Sequence, residues 1–181
     1  MSLPRDYSGQ GCALARSLEV VGERWTLLIV RDAFFGVRRF GDFVAHLGIP
    51  RAVLSDRLAT LTGASVLTRV PASGKREVYE LTGKGLELWP VIRALTLWGE
   101  QFYAPEGGGP RRILRHAADG AALAADDRCT RCGVLVGVRD ILLTPGPGLP
   151  GPDSADDPVT AALHHPHRLL STLPPAKGNP S

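Results

Sequence analysis

Two clusters of apolar residues at helical spacing, separated by a glycine, dominate the pattern between residues 38 and 61. The first cluster comprises Phe40, Phe43, Val44 and Leu47, and the second comprises Leu54, Leu58 and Leu61. Gly48 interrupts the pattern, and Pro50 suits the first turn of a helix, where its missing N–H is not needed. The pattern therefore predicts two short helices joined by a tight turn, which is a helix-turn-helix.

A β-hairpin is predicted directly after these helices. Residues 67–70 and 77–81 are short runs rich in β-forming side chains, and turn-forming residues 71–76 separate them. The turn carries Lys75 and Arg76, so the hairpin is expected to form a wing with a basic tip. Thr82 is expected to cap the helix that follows.

Three further apolar segments predict helices around this motif. Residues 12–21 form an amphipathic pattern, residues 25–35 are apolar enough to be buried, and residues 88–102 carry an aromatic stripe. The predicted fold class is mainly α with a β-hairpin wing (α+β), a winged helix-turn-helix.

The basic residues concentrate on the predicted helix-turn-helix and wing. Residues 31–76 hold eight Lys or Arg against three Asp or Glu, whereas residues 77–110 hold two against five. A protein that neutralises phosphates needs such an asymmetric distribution more than a high total charge, which is +3 here. The pattern favours nucleic-acid binding over a merely solvated face.

The second helix of the motif is the candidate for base recognition. When its leucines face the core, a step of about 100° per residue turns its small and polar residues outward. We expect its N-terminal half to read bases, and other basic residues to contact phosphates or the minor groove. The base-reading candidates are Arg51, Ala52, Ser55 and Asp56, and the backbone candidates are Arg38, Arg39, Arg57, Lys75 and Arg76. An ion pair of Asp56 with Arg51 or Arg57 is the alternative for that carboxylate.

Five motifs in order resemble the HxlR family of bacterial winged-helix transcriptional regulators, relatives of MarR. They are Cys12, GERWTLLIVRDAFFGVRRF (residues 22–40), LSDRL (54–58), YELTGKG (79–85) and WPVIRALTLWG (89–99). The resemblance covers residues 10–103. It implies a homodimer, which we expect to form through residues 11–22 and 86–103. A two-fold dimer would bind a near-palindromic operator in double-stranded DNA.

Cys12 is a candidate redox sensor. It lies near the start of the first predicted helix, where backbone N–H groups and Arg16 favour a thiolate. It also matches the N-terminal cysteine with which some HxlR regulators sense oxidants, quinones or aldehydes. A small residue with a purely structural role is the alternative.

A second candidate site follows the winged helix. His116-Ala-Ala-Asp119-Gly120 and Cys129-Thr-Arg-Cys132-Gly133 share one form: a metal ligand, two residues, a second ligand and a glycine. Two such turns resemble a zinc ribbon. The pair is similar to the HxxCG and CxxCG turns of some actinobacterial relatives, except that Asp119 replaces a cysteine. Three alternatives stay open: a zinc site, a degenerate ribbon without metal, or a reversible Cys129–Cys132 disulfide.

The composition divides the chain into five parts. We expect a flexible arm (1–10), the DNA-binding and dimerisation domain (11–103), a linker (104–110), a zinc-ribbon-like appendage (111–143) and a largely disordered tail (144–181). The tail holds nine of the fifteen prolines, and at most a short helix is expected between residues 159 and 173. No apolar run approaches a membrane span and no hydrophobic signal region is present, so a cytoplasmic protein is expected.

These observations predict a sequence-specific DNA-binding regulator, a repressor that responds to a small molecule or a thiol-reactive signal. No nucleotide-binding loop, nucleophile elbow or zinc-protease motif is present, so an enzyme is not expected. No cofactor is required other than the candidate zinc. Two alternatives remain: a zinc or redox sensor acting through residues 116–132, and a winged-helix module that binds protein.

Overall fold

The computed structural model describes residues 11–72, 76–104, 108–151 and 157–173. Its helices are α1 (Ala13–Val21), α2 (Thr26–Phe34), α3 (Phe40–Leu47), α4 (Arg51–Gly63), α5 (Gly83–Leu86), α6 (Trp89–Tyr103) and α7 (Pro158–Ala162). Its strands are β1 (Leu67–Pro71), β2 (Glu77–Leu81), β3 (Arg112–His116), β4 (Ile141–Pro145) and β5 (His167–Arg168). No helix within these ranges is long and apolar enough to cross a bilayer.

The helix-turn-helix is confirmed, and glycine ends its first helix as predicted. Gly48 adopts φ +61° after α3 and donates its N–H to the carbonyl of Val44, because a residue without Cβ takes the left-handed conformation at little cost. Leu54, Leu58 and Leu61 of α4 are fully buried. They pack in one core with Phe34 and Phe43, so α4 is anchored along one side only.

The wing is an antiparallel pair of strands. β1 and β2 align Leu67 with Leu81 and Pro71 with Glu77. Thr82 then caps α5, since its hydroxyl accepts the N–H of Gly85 at 3.1 Å. The predicted α+β class and winged helix-turn-helix are therefore confirmed.

Helix α6 packs by its first turns and exposes its later ones. Trp89 and Ile92 are buried, and the Trp89 ring meets Phe34 edge-on with centroids 5.2 Å apart. Leu95, Trp98 and Phe102 are between 47% and 59% exposed. The predicted aromatic stripe thus serves the core at one end and is uncovered at the other.

Residues 108–151 and 157–173, together called the appendage from here on, form a second, smaller layer against the winged helix. β4 is the centre of a three-stranded antiparallel sheet, between β3 and β5. Helix α7 packs against α3, and residue Leu170 donates its N–H to the carbonyl of Phe34 at 2.8 Å. The appendage is therefore built onto α2 and α3.

The described part of the predicted tail contains more regular structure than the sequence indicated. β4 extends to Pro145, past the expected boundary at residue 144, and α7 and the two-residue strand β5 lie within residues 157–173, where at most a short helix was expected. Proline content suggested disorder, but Val159, Leu163, Leu169 and Leu173 recur closely enough to bury one apolar side. The predicted arm and the remainder of the tail, residues 152–156 and 174–181, lie outside the described residues, as do residues 105–107 of the linker.

Candidate nucleic-acid interface and metal centre

The N-terminal half of α4 presents a polar, unobstructed face. Arg51, Ala52, Ser55 and Asp56 are all exposed, while the leucines of the same helix are buried. The guanidinium of Arg51 lies 5.1 Å from the centre of the Phe40 ring, so α3 positions it at the start of α4. This is the face on which the sequence predicted base-reading residues.

Asp56 does not use the alternative that the sequence left open. Among the described residues it makes no ion pair with Arg51 or Arg57. Arg57 instead has its Nη1 atom 3.5 Å from the carboxylate of Glu23, at the end of α1. The carboxylate of Asp56 therefore remains available to an outside partner.

The predicted backbone contacts divide into two groups. Arg38 is half-buried and already paired within the protein. Its Nη1 atom lies 2.6 Å from Glu80, and its Nη2 atom donates to the carbonyl of Leu170 at 3.2 Å. Arg39 and Arg76 are exposed, the former directly before α3 and the latter directly before β2, at the turn end of the wing. Lys75 lies outside the described residues.

Cys12 directly precedes α1, at the helix start that the sequence predicted, and its side chain is exposed. Its carbonyl accepts the N–H of Arg16 at 3.1 Å. The guanidinium of Arg16 lies 3.4 Å from Glu19, so its charge is shared with that carboxylate.

The four predicted metal ligands come together at one point. The donor atoms of His116, Asp119, Cys129 and Cys132 all lie within 4.8 Å of one another. Nδ1 of His116 is 3.6 Å from Sγ of Cys132 and 3.5 Å from Oδ1 of Asp119. Sγ of Cys129 is 3.3 Å from Oδ2 of Asp119. A tetrahedral zinc ion with ordinary bond lengths separates its ligand atoms by about 3.3 to 3.8 Å, so the cluster has the right size.

Two identical backbone turns produce this cluster. Gly120 has φ +72° and donates its N–H to the carbonyl of His116 at 2.8 Å. Gly133 has φ +73° and donates in the same way to Cys129 at 2.9 Å. Each glycine thus folds the chain back so that both ligands of its turn face the same point.

The electrostatics of the cluster reflect its crowded acidic groups. The backbone N–H of Ala121 lowers the pKa of Asp119, and Cys129, His116 and Arg131 act in the same direction. The backbone N–H of Val134 lowers the pKa of Cys132, but Cys129, desolvation and the charge of Asp119 together raise it above its ordinary value.

Two arginines flank the turns. Nη1 of Arg131 donates to the carbonyl of Asp119 at 2.8 Å, and Nη1 of Arg128 donates to the carbonyl of Gly133 at 3.0 Å. Zinc bound by one neutral histidine, one carboxylate and two thiolates would leave a net charge of −1, and these arginines offset it. The residues present therefore fit a zinc ion.

Sequence reasoning missed the residue that fixes the metal-ligating turns to the winged helix. Asp127 accepts a hydrogen bond from Nε1 of Trp89 at 2.7 Å and from Nε of Arg93 at 3.0 Å. Both donors lie on α6. An aspartate two residues before a CxxC turn carries no local pattern that predicts this pairing.

A helix-turn-helix, a two-stranded wing and a long following helix together define the winged helix-turn-helix class of regulators. The model of the HxlR-like helix-turn-helix family matches residues 20–107. The HTH-type transcriptional regulator Rv3095 of Mycobacterium tuberculosis is 47% identical over 143 residues, which are 77% of this chain and 89% of that protein. YvaP of Bacillus subtilis, another HTH-type transcriptional regulator, is 31% identical over 93 residues, which are 50% of this chain and 86% of that protein.

A solved structure agrees with these relatives. The crystal structure of PA1607, a candidate transcription factor, is similar with a TM-score of 0.56 and 38% identity, over 67% of this chain and 95% of that one. The chain belongs to the HxlR-like helix-turn-helix family of transcriptional regulators. The match to Rv3095 spans 143 residues, whereas the family model ends at residue 107. The match must therefore extend into the appendage, so Rv3095 shares part of it.

Proposed function

We propose that this regulator is a cytoplasmic, homodimeric repressor that places α4 in the major groove of operator DNA. The observation that carries the proposal is the exposed N-terminal face of α4, with Arg51, Ser55 and Asp56 free of covering elements in the described chain. Arg39 and Arg76 extend this face with exposed positive charge for the phosphate backbone. We assign the protein no catalytic role.

The uncovered side of α6 supports the dimer. Leu95, Trp98 and Phe102 of α6 and Leu14 and Leu18 of α1 are each at least 42% exposed. Exposed large apolar side chains grouped on two helices favour burial against a second copy of the same surface. A two-fold dimer then presents two α4 helices to the two half-sites of a near-palindromic operator.

Fluorescence anisotropy tests the DNA assignment. We expect a fragment from upstream of the protein's own gene to bind at least ~10³-fold more tightly than scrambled DNA, with affinity falling steeply as salt rises. Arg51→Ala is expected to weaken the upstream fragment selectively. Arg139→Ala, which removes an exposed arginine of the appendage, is the matched control.

Equal binding to both fragments, or equal losses in the two variants, would contradict the base-reading role of α4. Absence of binding to any fragment in a genome-wide DNA selection would favour the alternative of a protein-binding winged helix.

We propose that repression is relieved by a small-molecule or thiol-reactive signal, and Cys12 is the candidate thiol. Its exposure beside α1 places it next to the proposed dimer surface, so that a modified side chain would alter the spacing of the two α4 helices. Full loss of DNA binding on treatment of Cys12→Ser with diamide would show that another group responds.

We also propose that His116, Asp119, Cys129 and Cys132 bind zinc. The support is the convergence of the four donor atoms within 4.8 Å of one another and the matching left-handed glycines. Protein purified without chelators is expected to contain about one zinc per chain, and Cys132→Ser to lose most of it. Cys12→Ser is the matched control, because it removes an exposed thiol outside the cluster. Zinc content near zero in the unaltered protein would favour a degenerate ribbon or a Cys129–Cys132 disulfide.

A further inference from the structure

A cavity of about 630 Å³ lies between the winged helix and the appendage. Helices α2, α3 and α6 form one wall, and β3, β4 and α7 form the other. Its volume falls within the range of about 300 to 1,000 Å³ typical of small-molecule sites. Neither the proposed DNA contacts nor the metal ligands line it.

One part of the cavity is apolar. Phe35 and Trp89 line it from the winged helix, and Leu114, Leu143 and Leu163 line it from the appendage. Trp89 is fixed by its hydrogen bond to Asp127, and the three leucines are buried members of the hydrophobic core. These rigid walls suit an aromatic or aliphatic body.

The lining also carries four arginines, and two of them are paired with aspartates. Arg31 has its Nη2 atom 2.7 Å from Asp32, and Arg93 pairs with Asp127 at 3.0 Å. Glu100 is the acidic residue of the lining within the described chain; burial raises its pKa, and the charge of Arg93 opposes that rise.

Two arginines of the lining have no such partner. Within the described ranges, neither Arg111 nor Arg112 forms an ion pair. Arg112 donates from Nη1 to the carbonyl of Leu163, which holds it in place without neutralising its charge. Burial, together with the smaller effects of the charges of Arg31 and Arg111, lowers the pKa of Arg112 to about 10. Three arginine charges, from both walls, therefore lie close together in the lining of the cavity.

We propose that this cavity binds an organic monoanion, with its carboxylate or sulfonate on Arg111 and Arg112 and its apolar body against Phe35 and Trp89. A planar guanidinium recognises such oxyanions through two parallel hydrogen bonds. The anion would also relieve the repulsion among the arginines. Such an anion would be the small-molecule effector of the repressor, and only this regulatory role rests on the proposed function.

Binding is tested without DNA, so it can fail or succeed independently of the DNA assignment. Anilinonaphthalene sulfonate is titrated into the full-length, zinc-loaded protein and its fluorescence followed. Phenylbutyrate and its neutral amide, phenylbutyramide, are then used as competitors. We expect a saturable site from which the acid displaces the probe at least ten-fold more effectively than the amide.

Variants locate the site. Arg112→Gln is expected to weaken probe binding at least ten-fold, and Arg111→Gln to weaken it in the same direction. Arg139→Gln, which removes an exposed arginine outside the cavity, is expected to bind as the unaltered protein does. If Arg112→Gln does not fold, Arg111→Gln decides alone, because its side chain is exposed and makes no structural hydrogen bond in the described chain. Equal competition by acid and amide, or unchanged binding in Arg111→Gln, would overturn the proposal.

Discussion

Asp32 joins α2 to α3, the helix that packs against α4, and its removal is expected to destabilise the fold strongly. Its side chain is fully buried. Oδ1 accepts from Nε and Nη2 of Arg31 at 3.0 and 2.7 Å, and Oδ2 lies 2.7 Å from Nδ1 of His46 on α3. Asp32→Ala leaves both partners without their acceptor.

The magnitude follows from the burial of the two partners. Breaking a buried ion pair by removing one member costs about 3–5 kcal/mol. The Arg31 side chain is 30% exposed and can turn toward water, whereas His46 is only 14% exposed. We therefore expect Asp32→Ala to lower the free energy of unfolding by about 3 kcal/mol, the lower end of that range. Asp32→Asn keeps one oxygen acceptor and is expected to lose less.

Urea denaturation at a fixed protein concentration measures this difference, since the proposed dimer would make stability depend on concentration. Asp140→Ala is the matched control: Asp140 pairs with Arg168 at 3.1 Å, but it is 61% exposed. An exposed pair contributes at most about 1 kcal/mol. If the two alanine variants were destabilised equally, burial would not be the source of the Asp32 contribution, and the reasoning would be refuted.

Three further substitutions test other parts of the structure. Asp119→Cys is expected to raise zinc affinity at least ten-fold in a chelator competition, because thiolate binds zinc more tightly than carboxylate; unchanged affinity would place Asp119 outside the coordination sphere. Gly36→Ala is expected to increase hydrogen exchange in residues 169–173. Gly36 has φ +89°, and a Cβ there would lie 1.9 Å from the carbonyl oxygen of Ser171. Gly41→Ala, whose added Cβ would meet nothing within 4 Å, is the control and is expected to leave that exchange unchanged. Arg76→Ala is expected to weaken all DNA about equally and to reduce the salt slope by about 1, and an unchanged slope would remove the wing from the phosphate contacts.

The winged helix was predictable because its residues act locally. Leucines four and three residues apart determine which side of α4 is buried, and a glycine between two apolar clusters marks the turn. The convergence of the two candidate ligand turns was predictable for the same reason, since each consists of a ligand pair and a glycine within five residues. Hydrophobic periodicity and short-range spacing can both be read directly from a single sequence.

The remaining features depend on residues far apart in the chain. Arg38 was expected to face phosphate, but Glu80 is 42 positions away and pairs with it. A short helix was expected within residues 157–173, but the strand β5 was not, because its pairing with β4 is not visible in the local sequence. Nothing near Arg112 in the sequence indicates that Arg31 lies beside it, so the basic cavity had no local pattern. Charge partners and cavities arise only when the layers pack.

Asp127 joins the proposed zinc cluster to the winged helix. It is 9% exposed and has φ +60°, a conformation in which surrounding contacts must hold a residue with a side chain. Those contacts are Trp89 and Arg93 on α6, and Cys129 follows two residues later. The other side of α6 carries the exposed apolar residues of the proposed dimer surface. Asp127 therefore attaches the turn that carries Cys129 to the same helix that carries that surface.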